Sequence, residues 1–172
     1  MIDIIRKTSN TAKVVLYAED DPQEVFILQH ALRKLTCTAT FYHVANGAEA
    51  IQWLAGENEF ADRVAYPVPD VLVTDLNMPQ RNGLEVLLWV RAQPAYKNLP
   101  VIIHSTSDSD ADAATARRFG VTEYVVKKTS PRELVQRIGC ILKCPLRGTR
   151  NHCLIPELVA REGGKLALLP AK

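Results

Sequence analysis

Residues 71–79 read VLVTDLNMP, and this stretch decides the fold class. Residues 71–74 are apolar or β-branched and run directly into Asp75, after which Asn77 and Pro79 break the pattern. Such a run predicts a buried strand that ends in a carboxylate. In a parallel α/β sheet the loops after the strands open into the ligand-binding crevice, so Asp75 is predicted to lie where ligands bind.

A second apolar run, residues 13–18, ends in the same way, in Glu19, Asp20 and Asp21. Two strand ends would then direct several carboxylates at one place. Carboxylates that are so close together repel one another unless a cation lies among them. Because Mg²⁺ prefers oxygen ligands and retains several waters, the sequence predicts a Mg²⁺ site at these strand ends.

Composition indicates one domain and excludes two classes of partner. The chain has 172 residues, of which 47% are hydrophobic, enough for one core. The formal net charge is +2 and no long block of like charge occurs, so nucleic-acid binding is not indicated. No apolar run approaches the roughly 20 residues of a membrane span, and the N-terminus lacks a signal-peptide core. These features predict a soluble cytoplasmic protein that binds neither nucleic acid nor membrane.

The cysteines are expected to be reduced thiols, as is usual in the cytosol. A metal site built from the last three of them and His152 is less favoured, because a C-x3-C pair followed by adjacent His and Cys is not a common zinc spacing. The four cysteines are Cys37, Cys140, Cys144 and Cys153.

Strand and helix patterns alternate along the chain. The strands are predicted at residues 13–18, 38–44, 71–74, 101–107 and 123–126. The helices are predicted at residues 22 to about 36, 48–55, 84–91, 108–119 and from 131 to about 142. Five strands alternating with five helices predict an α/β fold with a doubly wound, five-stranded parallel sheet and helices on both faces.

The remaining segments are predicted to lie outside this alternation. Residues 1–12 read as a loose leader, residues 13–144 as the single domain and residues 145–172 as a C-terminal arm or tail. Residues 56–69 form a connection longer than the usual 4–6 residues or so.

Two further strand ends add a hydroxyl and an ammonium group to the same sheet edge. Ser105 lies at the end of the fourth predicted strand, and Lys127 follows the fifth. A hydroxyl and a lysine beside a carboxylate and Mg²⁺ form a site for a phosphoryl group, because the cation and lysine neutralise its charge and the hydroxyl donates a hydrogen bond.

Together these motifs resemble the receiver domains of two-component response regulators, over roughly residues 13–143. The residues that carry the resemblance are Glu19-Asp20, Asp75 in DLNMP with Gly83 after it, Ser105-Thr106, Tyr124 and Lys127. The resemblance implies a flavodoxin-like sheet with strand order 2-1-3-4-5.

The resemblance also implies roles at the acidic strand ends. Asp75 would be the phosphoacceptor, taking its phosphoryl group from a sensor histidine kinase. Asp20 and Asp75 would bind Mg²⁺ directly, Glu19 would act through water, and the carbonyl of Asn77 would complete the protein ligands.

The other implied roles concern the phosphoryl group and the switch. Lys127 would pair with the acyl phosphate, and Ser105 would move toward it. Tyr124 would follow Ser105 inward, which would change the surface of the fourth helix, fifth strand and fifth helix. No enzyme activity is expected beyond self-catalysed phosphorylation and dephosphorylation.

Several features differ from the common family pattern. Lys128 stands where the family usually has proline, and His104 replaces an apolar strand residue and is interpreted as a satisfied core or edge histidine. The long connection at residues 56–69 resembles that of single-domain receivers serving bacterial phytochromes, so the kinase partner is expected to be of that type. Because no output domain is legible, signalling is expected to proceed by association. Either a homodimer forms, in which the arm crosses onto the second subunit, or the phosphoryl group is transferred to another protein.

Two other functions compete with the phosphorylated receiver. A pseudo-receiver would bind partners without phosphorylation, but such proteins normally lose an acidic residue or the lysine, and this sequence keeps them. A phosphatase of the haloacid dehalogenase type would need a second aspartate two residues after the nucleophile, where this chain has Asn77.

Overall fold

The structure is a computed structural model that describes residues 12–128, 130–144 and 146–148. The predicted leader, apart from residue 12, and the predicted arm, apart from residues 146–148, lie outside the described residues. The division of the chain into leader, domain and arm therefore stays a prediction. Within the described residues no helix has both the length and the apolar character that a membrane crossing requires.

Five strands and five α-helices alternate along the described residues. The strands are β1 (Lys13–Ala18), β2 (Ala39–Val44), β3 (Val71–Thr74), β4 (Val101–Ser105) and β5 (Glu123–Val126). The helices are α1 (Pro22–Leu32), α2 (Gly47–Ala55), α3 (Gly83–Ala92), α4 (Asp110–Arg118) and α5 (Pro131–Ile141). All strand pairs are parallel and the order is β2-β1-β3-β4-β5, which confirms the predicted fold class and strand order.

The helices begin where polar side chains satisfy the free N–H groups of the first turn. Asp21 accepts from the N–H of Gln23, and Pro22 occupies the first helical position of α1. Asn82 and Glu85 form a reciprocal capping box at the start of α3. These caps fix helix starts directly after strand ends, and so they hold the loops that form the carboxyl edge of the sheet.

Several predicted boundaries differ from the observed ones by one to four residues, and two of these differences have a visible cause. Helix α1 ends at Leu32 rather than near residue 36, because Lys34 and Leu35 bond to carbonyls only three residues back, which tightens and closes the last turn. Strand β4 ends at Ser105 rather than at residue 107, because Ser107 turns back and its N–H donates to the hydroxyl of Ser105.

The sheet separates two apolar cores. Side chains of alternate residues point to opposite faces of a strand, so Leu16 and Leu72 pack with α2, α3 and α4, whereas Val15 and Val73 pack with α1 and α5. All four of these side chains are fully buried, and each contributes about 1.5–3 kcal/mol relative to an exposed position. This two-sided burial explains why the strands read as continuous apolar runs.

The long connection between α2 and β3 packs against α2. Arg63 donates to the carbonyls of Trp53 at 2.6 Å and Leu54 at 2.7 Å, in the last turn of the helix, where carbonyls lack an N–H donor four residues further on. The indole N–H of Trp53 donates to Pro67 at 3.0 Å, and the Trp53 ring lies 5.0 Å from that of Tyr66. The insertion is therefore held to the helix end by one guanidinium group and an aromatic cluster.

We expect Arg63→Ala to lower the free energy of unfolding by about 1–3 kcal/mol, because it leaves carbonyls at the end of α2 without their charged donor. The measurement is the denaturant midpoint of the whole chain. Arg81→Ala is the matched control: Arg81 is exposed and pairs with Glu85 at 3.0 Å within one helical turn, so its loss should change stability little. Equal effects of the two substitutions would contradict the capping role of Arg63.

A disulfide joins the segments that follow α1 and α5. Cys37 bonds to Cys144, 107 residues away in sequence, and the described residues contain no free cysteine. The expectation of reduced thiols is therefore wrong for this pair, and the less favoured metal site loses Cys144. Close by, Arg147 donates its N–H to Lys34 and its side chain to the carbonyl of Leu35. Sequence spacing gave no sign of the bond, since its two cysteines approach each other only in the folded chain.

Candidate functional site

Three charged side chains from three strand ends form one buried network. The ammonium group of Lys127, after β5, lies 2.7 Å from Glu19, after β1, and 3.0 Å from Asp75, after β3. The three side chains are 7%, 0% and 8% exposed, respectively. Removing Lys127 from this network would leave two buried carboxylates without their counter-charge, which is strongly unfavourable. The structure thus brings together the acid, the candidate nucleophile and the lysine as predicted.

Asp20 adds a third carboxylate at the solvent side of this network. Oxygen atoms of Glu19, Asp20 and Asp75 lie within 4.8 Å of one another, and Asp20 is exposed whereas the other two are buried. Three carboxylates face one lysine, so their charges sum to two units negative if all are ionised. A hard divalent cation with oxygen ligands and its own waters fits both the charge and the donor set.

The protonation states of Glu19 and Lys127 depend on each other. Burial raises the pKa of Glu19 above its ordinary value, and hydrogen bonds from Lys127 and Tyr17 oppose that rise. Burial alone would lower the pKa of Lys127, but its hydrogen bonds to Glu19 and Asp75 raise it overall. The lysine therefore stays charged at neutral pH, and its charge favours the ionised form of Glu19.

Both carboxylate oxygens of Asp75 are held. The N–H of Leu76 donates to Oδ1 at 2.6 Å, and Lys127 donates to Oδ2 at 3.0 Å. The backbone is held as well, because a Cβ atom at position 83 would overlap the carbonyl oxygen of Asp75. Gly83 is the residue that lets the start of α3 approach Asp75 so closely.

The remaining predicted site residues lie around this network. Ser105 is fully buried at the end of β4 and its hydroxyl accepts from the N–H of Ser107. Tyr124 donates to the carbonyl of Ser107 at 3.1 Å, which ties the ring to the loop after β4. Asn77 is exposed in the loop after β3. The predicted roles of these three residues in switching and metal binding stay predictions.

Lys128, which stands in the usual proline position, points away from the buried network. It pairs with Asp108 at 2.6 Å, and both side chains are largely exposed. An exposed pair of this kind contributes little to stability. It does connect the loop after β5 with the loop after β4.

The structure adds Tyr17 to the site, a residue that the sequence reasoning missed. The hydroxyl of Tyr17 donates to Glu19 at 2.7 Å, and Nδ1 of His104 lies 3.0 Å from the same hydroxyl. Burial, helped by the charge of Lys127, lowers the pKa of His104 to about 4, so the ring is neutral near pH 7. His104 is thus a buried, hydrogen-bonded histidine, as interpreted from sequence. The available signal for Tyr17 was its position two residues before Glu19, because side chains two residues apart in extended chain point to the same side.

Comparison with known proteins assigns the family. The response regulator receiver domain family matches residues 15–139. The chain belongs to this family. The match confirms the resemblance and places the chain among proteins that signal by phosphorylation, not among the haloacid dehalogenase phosphatases.

Two related proteins are similar to this chain over most of the receiver domain. The response regulator Rcp1 of a Synechocystis species is 27% identical over 130 residues, which cover 76% of this chain and 86% of Rcp1. The crystal structure of the phosphorylated cyanobacterial phytochrome response regulator RcpA is 29% identical with a TM-score of 0.68, and the likeness covers 77% of this chain and 93% of RcpA. A Mn²⁺-bound structure of Rcp1 has a TM-score of 0.68 at 26% identity and covers 80% and 97% of the two chains.

Proposed function

We propose that this receiver accepts a phosphoryl group on Asp75 from a sensor histidine kinase, in a reaction assisted by Mg²⁺. The observation that supports the proposal is the placement of Lys127, which contacts both Asp75 and Glu19, with Asp20 in the same carboxylate cluster. A nucleophilic carboxylate, a fixed ammonium group and oxygen ligands for a cation are the parts that phosphoryl transfer requires.

In the proposed transfer, Asp75 is the nucleophile and its neighbours orient it and neutralise charge. An oxygen of Asp75 attacks phosphorus, the bond between phosphorus and the kinase histidine nitrogen breaks, and the imidazole leaves with the electron pair of that bond. The N–H of Leu76 fixes Oδ1, so the approach of the nucleophile is restricted. Lys127 is placed to neutralise charge on the phosphoryl oxygens. Mg²⁺, when bound, would supply further charge neutralisation to the same oxygens.

Glu19, Asp20, Asp75 and the carbonyl of Asn77 are the proposed protein ligands of Mg²⁺. The exposed position of Asp20 supports a cation that keeps part of its water shell. The Mn²⁺-bound form of Rcp1 supports binding of a divalent cation by a related protein.

The proposed output is a change at the surface of α4, β5 and α5. Ser105 would donate to the phosphoryl group, and to do so its hydroxyl would leave the N–H of Ser107. Because Tyr124 donates to the carbonyl of the same Ser107, a shift of that loop would release the ring. These are local changes in charge and packing of the kind that bias a two-state element.

The experiment that tests phosphorylation uses a small-molecule phosphodonor with Mg²⁺, followed by intact mass. We expect one phosphoryl group, removed by hydroxylamine as expected for an acyl phosphate and not added when EDTA is present. A chain that takes up no phosphoryl group would instead support the phosphorylation-independent pseudo-receiver. No turnover of external phosphate esters is expected, since position 77 carries no acid.

We expect Asp20→Asn to weaken Mg²⁺ binding about tenfold, because it removes one of the carboxylates from the cluster. Asp20 is exposed, so the fold should be unaffected. Calorimetric titration with Mg²⁺ measures the effect. Asp21→Asn is the control: it removes a neighbouring charge outside the cluster, and asparagine still caps α1. Equal affinities of the Asp20 variant and the wild type would remove Asp20 from the ligand set.

We propose that the kinase is of the phytochrome type and that the receiver acts in the cytoplasm. Two observations support this kinase type: RcpA, to which this chain is similar, is a cyanobacterial phytochrome response regulator, and the connection between α2 and β3 is long, as expected from the sequence for a receiver of this type. Transfer from a phosphorylated phytochrome-type kinase should exceed transfer from a chemotaxis-type kinase. The reverse preference would contradict this choice of partner.

A homodimer formed with the arm, residues 145–172, is the proposed route of association. The arm is rich in apolar residues: Leu154, Ile155, Leu158, Val159, Leu166, Leu168 and Leu169. Ending the chain after Cys144 should shift a dimer toward monomer but leave Asp75 phosphorylation intact, since the site is built from strand ends that precede the arm. Sedimentation of both proteins, with and without phosphodonor, measures this. Identical masses throughout would leave the arm without a role in assembly.

A further inference from the structure

A chain of hydrogen bonds extends from β4 to the acidic site through side chains that the proposed transfer does not use. It begins at His104, passes through the hydroxyl of Tyr17 and ends at Glu19. Tyr17 is fully buried, and His104 is 6% exposed. β3 lies between β1 and β4 in the sheet, so the hydroxyl of Tyr17 on β1 reaches past β3 to His104 on β4.

The direction of the hydrogen bonds follows from the number of protons. Glu19 is paired with Lys127 at 2.7 Å, and an ionised carboxylate only accepts. Tyr17 has one hydroxyl proton, which it donates to Glu19. Its oxygen must then accept from His104, so Nδ1 of the neutral imidazole carries the proton.

This arrangement leaves Glu19 little freedom. Oε2 faces Tyr17 and Lys127, while Oε1 accepts from Lys127 at 2.9 Å and from the N–H of Asp21 at 3.3 Å. Lys127 also contacts Asp75, and in the proposed transfer it pairs with the phosphoryl group there. Tyr17 donates to Glu19 without such a second partner among the reacting groups, so it holds the carboxylate independently of the lysine.

We propose that Tyr17 and His104 are positioning residues that fix the Glu19 carboxylate for the divalent cation. The proposal rests on the proposed metal site and adds to it two residues that touch neither the cation nor the phosphoryl group. Hydrogen-bond partners that orient a metal-binding group typically change metal affinity by 10–100-fold when they are removed.

The first measurement is Mn²⁺ binding to the full chain, followed by the electron paramagnetic resonance signal of free Mn²⁺. Tyr17→Phe should weaken binding roughly tenfold. Tyr96→Phe is the matched control: it also removes a tyrosine hydroxyl, but one that donates to the backbone carbonyl of Leu54 at 2.6 Å, away from the carboxylates. Binding by Tyr17→Phe as tight as that of the wild type, or equal weakening by both variants, would overturn the proposal.

The second measurement compares Mn²⁺ binding by two substitutions of His104. Asparagine places an N–H donor close to the position of Nδ1, whereas leucine keeps a similar volume without a donor. His104→Leu should weaken Mn²⁺ binding about threefold, less than the roughly tenfold loss expected when Tyr17 itself is changed, and His104→Asn should restore it. Equal affinities of the two variants would overturn the role of His104. This comparison tests the hydrogen-bond chain even if Tyr17→Phe fails to fold.

The third measurement, of the His104 tautomer, needs no metal. Nitrogen-15 shifts of the His104 ring should show the proton on Nδ1 in the wild type and a loss of that preference in Tyr17→Phe. A proton on Nε2 in the wild type would overturn the hydrogen-bond chain. A wild-type protein that shows this tautomer but binds no Mn²⁺ would contradict the proposed metal function, so the two failures are distinguishable.

Discussion

Asp75→Asn should carry no phosphoryl group under conditions that label the wild type. The amide has nearly the shape of the carboxylate but lacks its nucleophilic oxygen anion. The fold should persist, because the substitution removes one charge from a cluster in which three carboxylates face one lysine. Lys127 would keep its partner Glu19 at 2.7 Å. Intact mass after incubation with phosphodonor and Mg²⁺ measures the result.

The control for this experiment is another aspartate next to the same strand. Asp70 precedes β3, where its carboxylate accepts from the N–H of Val14 at 2.8 Å and pairs with Lys13 at 3.4 Å. It lies at the opposite edge of the sheet from Asp75, so Asp70→Asn should be labelled like the wild type. Label on Asp75→Asn at the wild-type level would mean that the phosphoacceptor is a different residue.

The sequence was sufficient for the parts of the site that depend on local pattern. The run at residues 71–74 and the apolar run before Glu19 each identify a strand and the carboxylate after it. Once the strands are parallel, their carboxyl ends must share one edge, and Lys127 joins the acids there as a consequence. No distance had to be known for this step, only the alternation of strands and helices.

The parts that the sequence did not predict depend on contacts across the sheet or between distant segments. Tyr17 meets His104, 87 residues away, over an intervening strand, and periodicity within β1 indicates only which face the ring occupies. That contact follows from tertiary packing, which local preference does not indicate. The early end of β4 has a local cause instead: the N–H of Ser107 bonds to the hydroxyl of Ser105, two residues back, and such a serine bond competes with strand pairing.

The Cys37–Cys144 disulfide was also hidden from the sequence, and it leads to the second large effect. A bond that closes a loop of this length, with its cysteines 107 residues apart, stabilises a fold by roughly 4–5 kcal/mol if the entropy of the unfolded chain is the main factor. That is a large part of the 5–15 kcal/mol or so by which domains are usually stable. Since disulfides are rare in the reducing cytosol, the proposed cytoplasmic receiver would be markedly less stable with this bond open.

Cys37→Ser should therefore lower the denaturant midpoint of the oxidised protein strongly, toward that of the reduced wild type. Cys140 is also disulfide-bonded, so reduction opens that bond as well, and the single substitution isolates the effect of the Cys37–Cys144 bond. Phosphorylation of Asp75 should be unaffected under native conditions, because Cys37 precedes β2 and Cys144 follows α5, at the sheet edge opposite the carboxylates. Unchanged stability in Cys37→Ser would show that the bond does not constrain the chain, and a loss of phosphorylation in the folded variant would show that the two edges are coupled.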